Sequence, residues 1–88
     1  MTLNITKEIL DKLDKNNLNI EYFFILTSYY TKEFELIQNY LNFNNSRNCL
    51  LFQTLIRLNL LKIDNSEEST EFILTEKGEL LIKELTQL

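Results

Sequence analysis

The chain has 88 residues, a net charge of −4, a hydrophobic fraction of 44%, one Cys, one Gly, and neither His nor Pro. That length suits one domain, residues 1–88, with enough apolar residues for one core, while a lone Cys without His excludes an intrachain disulfide and a structural zinc site. No stretch approaches the ~20 apolar residues of a membrane span, and the first residues lack the apolar run of a signal peptide, so a cytoplasmic protein with no membrane partner is expected.

Without proline, segment ends are marked by Asn, Thr and Ser. Ile5, Ile9, Leu10 and Leu13 recur at helical spacing, so a first helix capped by Thr6 is expected to run to about Lys15 and end in Asn16-Asn17. Asn19 caps a second helix in which Ile20, Phe23, Phe24, Thr27 and Tyr30 share one side, against Glu21, Tyr22 and Ser28 on the other. The spacing predicts a third helix from Thr31 or Lys32, with Phe34, Ile37, Tyr40 and Leu41 on one face, stopping in Asn42-Phe43-Asn44-Asn45. Ser46 is the expected N-cap of a fourth helix, Arg47 to Leu58. Its buried side carries Asn48, Leu51, Phe52, Leu55 and Leu58; its free side carries Arg47, Leu50, Gln53, Thr54 and Arg57.

After Asn59 the periodicity changes. Two apolar runs, Leu60 to Ile63 and Glu71 to Leu74, flank a polar loop and predict a hairpin. Thr75 caps a last helix with Glu76 in its positive first turn and Leu81, Ile82, Leu85 and Leu88 as its stripe. Gly78 falls on that stripe, where glycine costs about 1 kcal/mol of helix propensity; close packing of helix against sheet is the expected reason. The predicted fold is mainly α with a small β-hairpin wing, in the order α-α-α-α-β-β-α, a winged helix-turn-helix.

Charge is distributed unevenly. Residues 1–35 carry four Lys and six acids; residues 36–63 carry Arg47, Arg57 and Lys62 and no acid; residues 64–88 carry two Lys and seven acids. An acid-free centre suits a face that approaches an anion. It also arises by chance where so many residues are core Leu, Ile and Phe.

Three stretches carry a resemblance to the MarR-like winged-helix transcription regulators. Asn19 to Leu26 resembles the helix before their helix-turn-helix. Leu55 to Lys62 resembles the end of their recognition helix, with Asn59 where the family usually has a left-handed glycine. Phe72 to Leu81, containing Leu74-Thr75-Glu76-Lys77-Gly78, resembles the second wing strand entering the closing helix. The resemblance covers residues 19–88 and implies duplex DNA as partner, with the helix at about 47–58 in the major groove. By that implication Arg47, Leu50, Gln53, Thr54 and Arg57 meet bases or phosphates, Ser46 and the first backbone N–H groups hold a phosphate, and Lys62 lies beyond them in the wing.

Two departures bear on function. Family members dimerise through extra terminal helices that this chain is too short to hold in full; Leu3, Ile5, Leu85 and Leu88 suit the face of a homodimer, and core burial explains them equally well. Their wing usually offers an Arg to DNA, whereas residues 64–71 here hold Asp64, Glu67, Glu68 and Glu71 and no base. The alternative partner is therefore a protein: an exposed Leu50 flanked by Arg47 and Arg57 suits a protein hot spot, and an acidic wing suits a basic partner. An enzyme is not expected, because no base accompanies Cys49 and no glycine-rich phosphate loop exists; no cofactor is expected either.

Overall fold

A computed structural model of the protein describes residues 6–65 and 70–86. In chain order these form α1 (Lys7–Lys15), α2 (Ile20–Thr31), a 3-10 segment (Glu35–Leu41), α3 (Ser46–Arg57), β1 (Leu61–Asn65), β2 (Thr70–Leu74) and α4 (Glu76–Thr86). The molecule is mainly helical with one antiparallel hairpin, a winged-helix-like arrangement. Among the described residues no helix is long and apolar enough to cross a membrane.

Local chemistry sets the ends of these elements. Thr6 caps α1 by accepting a hydrogen bond from the Ile9 N–H at 3.2 Å, and Asn19 caps α2 by accepting from the Glu21 N–H at 2.9 Å. Both α1 and α3 close in the same way. Asn17 (φ 58°) and Asn59 (φ 62°) take the left-handed position after each helix. The N–H groups of Leu18 and Leu60, one residue further on, then reach back to the carbonyls of Leu13 and Leu55, each at 2.9 Å. That pattern satisfies carbonyls that would otherwise lack donors, and it buries both leucines.

Because asparagine serves at both turns, the single glycine is free for another task. A Cβ on Gly78 would run into the carbonyl oxygen of Leu60 and come within 2.8 Å of Leu74 Cδ1. The glycine therefore lets α4 lie directly on the chain entering β1. Thr75 locks the same junction, donating its hydroxyl to the Asn59 carbonyl at 2.6 Å while accepting from the Gly78 N–H at 3.0 Å.

The core joins Ile9 and Leu13 of α1, Phe23, Ile25 and Leu26 of α2, Ile37, Phe52 and Leu55, and Ile82 and Leu85 of α4. α2 lies at its centre and is buried on more than one side. Ser28, expected on the outer side, is buried, while Tyr30, expected with the apolar group, is 40% exposed. The mixed polar and apolar positions of a helix enclosed by neighbours do not mark a single inner face.

The third helix departs from expectation. α2 continues through Thr31 and is ended by Lys32 at φ 62°, with the Glu33 N–H returning to the Ser28 carbonyl at 3.2 Å. The chain then enters a 3-10 segment kinked at Ile37 (φ −118°, ψ 16°) instead of an α-helix. Of its seven residues only Ile37 is fully buried, so one anchor replaces the continuous apolar stripe that stabilises a regular helix. The segment is fastened from outside by buried Asn48 of α3, whose side-chain amide donates to the carbonyls of Asn39 at 2.8 Å and Asn42 at 2.9 Å.

In the hairpin, Leu61 pairs with Leu74, Ile63 with Phe72 and Asp64 with Glu71. Phe72 joins an aromatic group centred on Phe52, whose ring centroid lies 4.9 Å from Phe72 and 5.0 Å from Phe43. Tyr29 and Phe34 extend this group, 5.0 Å apart edge to face.

Candidate nucleic-acid interface

α3 begins one residue earlier than its sequence suggests. Asn45, not Ser46, is the N-cap, accepting from the Arg47 N–H at 2.9 Å, and Ser46 is the first helical residue. The two residues compete for one role and the asparagine takes it, after a turn in which Asn42 accepts from the Asn44 N–H at 3.2 Å. Ser46 remains exposed at the positive end of the helix.

The free side of α3 agrees with the periodicity. Gln53 and Arg57 are exposed, Thr54 is half-buried, and Leu50 is 59% exposed in their midst. Lys62, on β1 just beyond the turn at Asn59, is also exposed. No acid lies within α3, so its outer surface presents amide, hydroxyl, guanidinium and one apolar group.

Arg47 differs from its expected role as a free contact. Its guanidinium pairs with the Glu21 carboxylate from the start of α2, and the glutamate side chain is only 17% exposed. Tyr40 stands beside the same carboxylate; burial first, and then the charge and hydrogen bond of Glu21, raise its phenol above 10.0 against the opposing pull of Arg47. The carboxylate thus cancels one of the three cations in the acid-free segment. Glu21 and Tyr40 escaped sequence reasoning because 26 residues separate Glu21 from Arg47 and nothing local announces the pairing. Arg57 and Lys62 form no ion pair with described residues.

Lys77 of α4 was likewise invisible as a neighbour of α3. Its ammonium donates to the Leu58 carbonyl at 3.0 Å, placing a cation at the negative end of that helix. Cys49 is half-buried and its thiol donates to the Phe43 carbonyl at 3.1 Å, a packing role in the turn before α3. No group of three or more His, Cys, Asp or Glu is placed to hold a metal ion among the described residues.

On the wing, Asp64 and Glu71 are direct cross-strand partners and both are exposed. Like charges placed opposite each other weaken a strand pair and repel a phosphate backbone. Glu67 and Glu68 lie outside the described residues. So do Leu3, Ile5 and Leu88 of the expected dimer face, while Leu85 is buried in the core at 2% exposure and is not available to a second copy. Neither a family model, nor a curated protein, nor a solved structure matches this chain.

Proposed function

We propose that this chain is a winged-helix module that binds duplex DNA through the outer face of α3, in the manner of a transcription regulator. The observation that carries the reading is the α3 surface itself. It is a capped, acid-free helix that follows the kinked 3-10 segment, with Gln53 and Arg57 exposed and Lys62 just beyond its end. Such a helix fits the major groove, and these side-chain types reach base edges or phosphates. Affinity is modest, because few cations neutralise few phosphates, and factors making six to ten such contacts owe decades of affinity to them. The acidic wing stays off the backbone, so the helix acts without the wing's usual help.

Fluorescence anisotropy with a random-sequence duplex across a salt series tests this, comparing the parent chain with an Arg47→Ala/Arg57→Ala variant. Binding that weakens with salt and is lost in the variant supports the reading; no binding at low salt removes it. One observation favours a second reading, a protein-binding adaptor: Leu50 stands 59% exposed at the middle of the same face, beside an arginine already matched by Glu21. An adaptor would keep partner binding, and lose it in Leu50→Ser, under conditions where DNA fails to bind.

A further inference from the structure

The hairpin contains only β1 and β2. One edge of β2 is bonded to β1, and no described strand covers the other. A groove of about 460 Å3 is lined by the four consecutive residues 71–74 of β2 and by Tyr29, Tyr30 and Phe34. Successive side chains of a strand point to opposite faces, so a recess against one face would be lined by alternate residues. Lining by a consecutive run fits a groove along the strand's edge. A second recess of about 350 Å3 shares Tyr29, Phe34, Glu71 and Phe72 with it and reaches Phe43. Its aromatic walls are open to solvent: Tyr30, Phe34 and Phe43 are 40%, 37% and 43% exposed.

Charge selects the occupant. Glu71 and Glu79 line the groove, Glu33 and Glu35 line a further recess that shares Lys32 and Phe34 with it, and Lys32 is the one cation among the lining residues described. A second copy of this chain adding its own β2 would bring Glu71 and its neighbours against the same acids, and like charges disfavour that pairing. A basic strand meets no such repulsion. We propose that the free edge of β2 accepts an extended segment of another protein, alternating basic and aliphatic residues, which adds as a third strand with its apolar side chains on the aromatic wall. Backbone hydrogen bonds to the edge give affinity, and the acids and the Tyr29–Phe34 wall give selectivity. None of these residues belongs to the outer face of α3, so the proposal does not rest on DNA binding.

The test uses the full chain and a fluorescein-labelled hexapeptide alternating lysine with valine, monitored by anisotropy at low salt. Three comparisons accompany it: a glutamate-for-lysine peptide, a fully N-methylated peptide that keeps side chains and charges but has no backbone donors, and the Glu71→Lys/Glu79→Lys variant. Saturable binding is expected below about 1 mM, weakened roughly fivefold or more in all three comparisons. The N-methylated comparison uses the unaltered protein, so it stands whether or not the variant folds. Equal binding of the N-methylated peptide would show attraction without strand addition and overturn the proposal. So would an absence of saturation, or sedimentation showing that a second copy occupies the edge and excludes the peptide.

Discussion

Asn48 is the residue on which the turn before α3 depends. Its buried amide donates to two carbonyls, those of Asn39 and Asn42, the second of which also accepts from the Asn45 N–H at 3.3 Å. Asn48→Leu keeps the branched outline of the side chain and removes both donated hydrogen bonds, so chemical denaturation is expected to show a loss of about 1–2 kcal/mol. Gly78 acts through space alone. Gly78→Ala gains about 1 kcal/mol of helix propensity but drives a methyl group into the backbone oxygen of Leu60, which has no flexible end to move away. Overpacking of that kind costs about 1–3 kcal/mol, and the expected net result is a lower melting temperature. At this scale the sequence was legible where a residue acts on its own backbone: Thr6, Asn19, Asn59 and Thr75 take the positions their side chains favour. It misled where two candidates compete for one position, as with Asn45 and Ser46. It was silent where the partner is distant, as with Glu21 and Arg47.

Among the elements, α3 is readable from periodicity because it has one buried and one open side, and the hairpin from two short apolar runs around a polar loop. The 3-10 segment is not, since an apolar i, i+3 spacing suits both kinds of helix and the choice is made by Lys32 ending α2 and by Asn48. The pairing of α2 with α3 through Glu21 also sets the charge that α3 presents. Glu21→Gln releases Arg47, and in the DNA reading it is expected to strengthen duplex binding several-fold at low salt and to steepen the salt slope by about one unit. An unchanged slope would mean that Arg47 does not meet phosphate. The aromatic group contributes a pH dependence of its own. Burial, and then Glu71, raise the phenol of Tyr29 above 10.0; burial, and then Glu21, raise that of Tyr40. Below pH 10 both phenols are protonated in the folded and unfolded chain, and their contribution to stability is fully present. Above it the unfolded chain loses its protons first, so stability falls as pH rises toward the folded values. Urea midpoints at pH 9 and 11 should show this decline, and Tyr29→Phe should reduce it.

For the molecule as a whole, two properties pull in different directions. The order of elements and their joints define a winged-helix-like fold, whereas the net charge of −4 opposes any polyanion. The fold was legible because capping, periodicity and hairpin signals agree along most of the chain. The candidate site was legible in part. A helix's outer residues can be read from spacing, but whether an outer arginine is matched, or an edge strand is left open beside an aromatic wall, depends on how distant elements meet. The two proposed surfaces are formed by different residues, and one experiment separates them. A 15N-labelled chain titrated with duplex DNA at low salt, with amide chemical shifts as the readout, maps the contact directly. The DNA reading predicts shifts concentrated at residues 46–57 and at Lys62, growing to saturation and reversed by added salt. Shifts confined to β2 and the end of α2, or none at all, would contradict it.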